Sequence, residues 1–432
     1  MIWGSSMFAA FPNRLALSLK AWISALEGLC RSGALTQISY PLSLFSFFLL
    51  PHLGSVYSVG QRQSDSPVTP YRIVIVALLS LLLLLFVLYR SRQRPTGLYL
   101  TWAAVSMSYW GWTVVARLQR DEDLEHAMWI PPLLIALTLI KLPSRRDVLA
   151  ALRVLVWICC VLIVLGVMDV LLEGGFATRI WPTRSPLLVE FGFQVRTDGI
   201  VRSFRLQYLM ALLVIAASLG TKFKERWLFF GIGTCGLLVA DSYLAFAAVV
   251  IGGALHFSMG LGSRNTRSRS LLLGASAMAI GTLLIVLSVS SGANLDSLLN
   301  GRREIWTSSL EGASLTTVWG LAAEIPLATV APSGTHNILL DAQLSSGWIG
   351  LAIALTVWAM ALCLTAKAVQ LGAGQFPVDL VVMALVIGIG ESLFDFPYLT
   401  NGWVLMLIAA VCATSLQGVG GENSENHHGL ES

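Results

Sequence analysis

Two stretches of this 432-residue chain carry side chains suited to chemistry on an anionic substrate. The first reads Gly301-Arg302-Arg303-Glu304-Ile305-Trp306. The second reads Gly334-Thr335-His336-Asn337 and is followed by Gly347-Trp348-Ile349-Gly350, while Arg196 and Arg202 lie well upstream. The planar fork of arginine grips phosphate or carboxylate through two hydrogen bonds, better than lysine can. A histidine, with an ordinary pKa of about 6.5, can take a proton from an attacking hydroxyl or donate to an anion. Each residue also has a plain structural explanation. Arg302 and Arg303 could be a solvated surface pair, His336 a loop histidine bonded to backbone, and Gly347 and Gly350 points where helices close on one another. Carboxylates nowhere cluster as a divalent cation would require, so no metal or cofactor is expected.

These residues must be held by something, and the composition says what. Hydrophobic residues make up 56% of the chain and charged residues 12%, about half the charged share of a soluble domain. The mean hydropathy is +0.74. The apolar residues fall in runs such as 73–88 and 271–289, long enough to cross hydrocarbon at about 1.5 Å of helix per residue. The reading is an all-α, polytopic transmembrane helical bundle, which excludes secreted, cytosolic and nucleic-acid-binding classes. The six cysteines lie in or beside apolar stretches without metal-ligand spacing, suggesting neither disulfides nor zinc. The net charge of +4 identifies no partner by itself.

Apolar windows bounded by charge, proline or glycine predict about twelve spans: 35–58, 72–89, 97–117, 127–141, 148–172, 204–220, 227–241, 243–260, 271–290, 346–366, 377–391 and 402–417. Residues 1–34 form a cytoplasmic lead-in without a clean cleavage site, and 418–432 a polar cytoplasmic tail. The N-terminal spans fill 35–172, the central spans 204–290 and the C-terminal spans 346–417, separated by outer segments at 173–203 and 291–345. Alternate short loops carry basic clusters: Arg90, Arg92 and Arg94; Lys141, Arg145 and Arg146; Lys222, Lys224 and Arg226; Arg264, Arg267 and Arg269. The excess of positive charge makes that side cytoplasmic. All five lysines (Lys20, Lys141, Lys222, Lys224, Lys367) then fall inside. The outer basic residues are arginines, notably Arg179, Arg184, Arg196, Arg202, Arg302 and Arg303.

The large loop between spans 9 and 10 resembles that of the O-antigen ligase and polymerase family, membrane glycosyltransferases that use polyprenyl-diphosphate-linked glycans. The resemblance rests on Gly301, Arg302, Ile305 and Trp306, then His336, Asn337, Gly347 and Gly350, and on Arg196-Thr-Asp-Gly199 ahead of a middle span. It covers roughly 190–365. It implies a metal-independent enzyme in a bacterial inner membrane, inverting the anomeric carbon on the periplasmic side. Arg302 and Arg196 would stabilise charge on the departing diphosphate, with Arg303 and Arg202 supporting them. His336 would serve as base or as a further donor to the diphosphate. Asn337 and Trp306 would contact substrate, and Trp319 is a second candidate for stacking on sugar. The implied partners are the lipid-linked donor, a glycan or lipid-linked acceptor, the bilayer and other polysaccharide-assembly membrane proteins, with no nucleic acid.

The chain departs from that family at two places. Tyr243 stands where an arginine is common, and Trp319-Gly320-Leu321-Ala322 replaces a usual Gly-x-Gly. Glu391 and Asp395 read best as helix-end charges, and Asp121, Glu122, Asp123 and Glu125 as a solvated loop. Trp102, Trp110 and Trp112 read as interface and packing residues. Three functions are carried forward: a polymerase for exopolysaccharide or O-antigen, a ligase to lipid A core or protein, and a polysaccharide flippase. Transporters favour charges near mid-membrane and repeated halves, and the sequence offers few of the first and none of the second.

Overall fold

A computed structural model describes residues 95–120, 144–172, 180–182, 195–197, 204–240, 242–260, 302–321, 337–390 and 400–417. It adds single positions at 132–142, 189 and 274–281. These residues are almost entirely helical. The helices are α1 (Gly97–Leu118), α2 (Arg145–Leu171), α3 (Phe204–Gly220), α4 (Arg226–Ala240), α5 (Tyr243–Gly260), α6 (Arg302–Ser314), α7 (Ile338–Gln370), α8 (Phe376–Gly390) and α9 (Thr400–Ser415). Between α2 and α3 lies one antiparallel ribbon of β1 (Ile180–Pro182) and β2 (Val195–Thr197), with Trp181 opposite Arg196. The lead-in, the tail and the expected spans 35–58 and 72–89 lie outside the described residues, as do most of 127–141 and 271–290. The other eight expected spans coincide with α1–α5 and α7–α9, although α7 begins at Ile338, inside the segment read as outer loop.

Among the described residues, two helices are long and apolar enough to cross a membrane, Val148–Met168 within α2 and Ile338–Gln370. Five shorter helices are also apolar: Gln207–Gly220, Arg226–Ala240, Leu244–Met259, Phe376–Gly390 and Leu405–Ser415. Their packing uses small residues to bring backbones close. Gly233 and Gly236 of α4 face Ile215 and Ala211 of α3, and Gly236 also meets Ile163 of α2. Tyr99, Trp102, Phe229 and Phe376 are among the largest side chains fully buried in the shared core.

Contacts between helix ends define two poles of the bundle. At one pole Arg153 of α2 pairs with Glu225 in the α3–α4 turn, and the arginine hydrogen bond holds the Glu225 carboxyl below its ordinary pKa. There too Gly220, ending α3, abuts Phe376, starting α8, and His256 near the end of α5 bonds Asp379 at 2.8 Å. Lys222, Lys224, Arg226 and Lys367 belong to the turns of this pole. At the opposite pole Asn337 before α7 bonds Ile389 near the end of α8, and Gly390 meets Leu244 near the start of α5. The ribbon joins the far end of α2 to the start of α3, so Arg196 belongs to this second pole.

Helix α7 is broken where it passes this pole. Gly347 has φ 69° and ψ −169° inside an otherwise continuous helix. A β-carbon there would lie 2.0 Å from the Val318 carbonyl oxygen and 2.6 Å from the Gly320 nitrogen. Left-handed backbone and close approach both demand glycine. Gly347→Ala is therefore expected to lower the thermal midpoint of the purified protein. Backbone strain alone contributes about 1–3 kcal/mol, to which the clash with Val318 adds. An unchanged midpoint would show that the break is dispensable.

Candidate functional site

The site is built on this break. Peptide carbonyls turn out of the hydrogen-bond ladder where a helix is interrupted, and two in the turn before Gly347 are claimed from other elements. Leu344 O accepts from Leu321 N at 3.1 Å and from Arg120 Nη1, just beyond α1, at 3.0 Å. Ser346 O accepts from Trp112 Nε1 of α1 at 2.7 Å, and the Ser346 hydroxyl lies 3.2 Å from that of Thr113. The Trp112 ring stacks on Trp319, with centroids 4.7 Å apart and planes 11° off parallel. Trp319 stands in a tight turn closed by Thr317 N to Gly320 O at 2.6 Å, and Gly320 supplies its positive φ of 113°.

Helix α6 runs into this turn. Its sequence places Trp306, Ser309, Leu310 and Ala313 at the i, i+3, i+4, i+7 spacing of one face. Trp306, Ser309 and Ala313 are buried and Leu310 half-buried, while Glu304, Ser308 and Glu311 are exposed. Trp306 and Ala313 join Leu321 of the turn and Leu340 and Leu344 of α7 in a second, smaller core. Gln343 of α7 ties the end of α6 down, its Nε2 donating to Ala313 O at 3.3 Å and to Thr316 Oγ1 at 3.4 Å. Arg302 and Arg303 occupy the first two positions of α6, Arg302 one turn before Trp306.

Asn337 caps α7. Its backbone is extended, at φ −154° and ψ 124°, and its Oδ1 accepts from Leu339 N and Leu340 N at 2.9 and 3.0 Å. Its Nδ2 donates to Ile389 O at 2.7 Å. The carboxamide read from sequence as a substrate contact thus spends three hydrogen bonds on holding α7 and α8 together. It is only 2% exposed, so little of the side chain is left to face a ligand. Trp306 has a comparable position: it is 3% exposed and packed into the small core, with its Nε1 unpartnered.

Among the residues singled out from sequence, Arg302, Arg303, Trp306 and Asn337 are brought together by the packing of α6 on the first turns of α7. Arg196 lies at the same pole but on the ribbon, which packs on α2 and α4. Arg202 and His336 lie outside the described residues, His336 one position before the α7 cap. Trp112, Arg120 and Gln343 were not anticipated for this pole. Arg120 alone left a hint, as an arginine just past an apolar run that turns out only 8% exposed. At the other pole the pairing of half-buried His256 with buried Asp379 was also missed. Among the described residues no group of histidine, cysteine and carboxylate side chains is arranged to hold a metal.

Neither protein-family models nor curated protein sequences yield a match to this chain.

Replacing Asn337 separates its two duties. Asn337→Ala loses the cap and the Ile389 tie, and the cap alone is worth about 1–2 kcal/mol. Asn337→Asp keeps a capping oxygen and loses only the amide donor. Chemical denaturation of the purified protein should therefore rank wild type above Asp and Asp above Ala.

Proposed function

We propose that the protein is a membrane glycosyltransferase of the O-antigen ligase and polymerase type, working at the outer face of a bacterial inner membrane. In this reading the chain is a multi-pass bundle of about twelve spans with a large outer loop before the tenth. It transfers a polyprenyl-diphosphate-linked oligosaccharide en bloc to an acceptor sugar. The observation that carries the reading is the docking of α6, headed by Arg302 and Arg303, on the start of α7, beside the position of His336. This pole lies opposite the turns that hold Lys222, Lys224, Arg226 and Lys367.

The chemistry follows from the residue types. The acceptor hydroxyl oxygen attacks the anomeric carbon as the bond to the diphosphate oxygen breaks, inverting that carbon. Negative charge gathers on the leaving diphosphate. Arg302 and Arg196, with Arg303 and Arg202 in support, are the donors suited to receive it, and preorganised donors in a water-poor site each supply a few kcal/mol. The hydroxyl proton passes to His336 if that residue is the base. If His336 is instead a diphosphate ligand, the proton leaves to solvent. A polymerase uses a second lipid-linked repeat as acceptor and a ligase uses lipid A core or a protein; of the two, polymerase is the reading carried first.

The test is incubation of purified protein with a polyprenyl-diphosphate-linked repeat, alone and with lipid A core. A ladder without added acceptor identifies a polymerase, and product only with lipid A core a ligase. Arg302→Ala should cut turnover by about 10²-fold or more, the usual loss for one oxyanion donor, and His336→Ala by about 10²–10⁴-fold if it is the base. Full turnover in both variants would remove this mechanism.

A further inference from the structure

We infer that the outer end of α1 is a positioning element for the arginine helix: Trp112 and Arg120 latch residues 317–321 onto the break in α7 and so set where α6 stands. The inference rests on the transferase reading of α6 and names residues that reading did not include. Neither Trp112 nor Arg120 need touch substrate for it to hold.

The connection can be followed bond by bond. Arg120 Nη1 and Leu321 N donate to the same oxygen, that of Leu344, at 3.0 and 3.1 Å. One carbonyl therefore joins α1, α7 and the turn that ends the α6 segment. Trp112 makes the same three-way junction with different chemistry, its Nε1 on Ser346 O and its ring face on Trp319. Partners on the two sides of these bonds are 224 and 234 residues apart in sequence, so the latch exists only in the folded bundle. Both carbonyls lie in the turn of α7 just before Gly347, and the Val318 carbonyl presses against Gly347 itself.

Among the described residues, α6 is also held by the small core around Trp306, against which Ile389 of α8 packs, and by the two long bonds from Gln343. Helix α1, by contrast, is packed along α7 and buries Trp102, Tyr109 and Trp110 in the main core. Loosening the latch therefore frees the 302–321 segment without dissolving the bundle. Catalytic donors tolerate little displacement: about 1 Å of misplacement can cost on the order of 10²-fold in rate. A guanidinium at the head of a short amphipathic helix inherits the looseness of its anchor.

The experiment uses the full-length purified protein with Arg120→Ala, Arg120→Lys, Trp112→Phe and Trp112→Ala. Three quantities are read for each: amide hydrogen exchange across 302–321, the thermal midpoint, and kcat and KM for a polyprenyl-diphosphate-linked repeat. Arg120→Ala and Trp112→Ala should speed exchange in 302–321 while leaving α2–α5 protected. They should lower kcat about tenfold with donor KM little changed, a loss on the scale of small displacements of catalytic groups. Arg120→Lys, which restores a donor, and Trp112→Phe, which keeps the ring stack, should each recover part of both effects. Unchanged exchange in 302–321 overturns the latch. Faster exchange with unchanged kcat overturns its positioning role, and loss of protection throughout the bundle makes both residues general supports instead. Absence of transfer by the wild-type protein strikes the transferase reading alone, and the exchange comparison still decides the latch.

Discussion

A helix that crosses an apolar medium cannot leave its peptide groups unpaired, because each costs several kcal/mol there. The break at Gly347 puts that constraint on α7, which is long and apolar enough to cross a membrane, and the arrangement around the break is the response to it. Two carbonyls turned out of the ladder draw in Arg120, Trp112 and the backbone of Leu321. The same break opens a recess that only glycine leaves vacant, and residues 318–320 fill it. Cap and break lie at the two ends of one short stretch, 337–347, so this stretch is fixed at both ends and carries α6 on its side.

The two poles differ in how they use charge. At the pole of the basic turns, Lys222 and Lys224 lie in a short connection, Arg226 opens α4 and Lys367 lies in the last turn of α7, and the Arg153–Glu225 pair there is exposed enough to contribute little to stability. At the other pole the cationic groups are arginines carried on ordered elements: Arg196 in a strand, Arg302 and Arg303 opening a helix, Arg120 buried against α7. An ordered backbone fixes where each of these residues stands, and the proposed transfer reaction calls for donors placed in advance.

How much of this could be read from sequence depended on the range of the interactions. Eight apolar segments announced themselves because burial in an apolar medium leaves a run that needs no tertiary information, and their helices match the windows within a few residues except at the start of α7. That start was hidden because residues 338–346 mix Asp341, Gln343 and serines among the leucines, the composition of a helix buried against protein. The candidate residues Arg302, Arg303, Trp306 and Asn337 were found by type and spacing. The duty of Asn337 was not, since capping of α7 can be guessed locally but its bond to Ile389 spans 52 residues. Trp112 announced only an aromatic for packing and Arg120 only a cation just past an apolar run: their partners are carbonyls, which every residue has, and only the fold selects which two.

The pairing of His256 with the buried Asp379 bears on the order in which the chain is made. Asp379 sits in the first turn of α8 with no exposed surface, in a helix that is otherwise apolar. A lone carboxylate taxes the entry of a helix into lipid by up to about 3 kcal/mol. Its partner is made 123 residues earlier, on α5. By the time the ribosome delivers α8, the histidine that pairs with its carboxyl has already been made, so the order of synthesis places the partner before the residue that needs it.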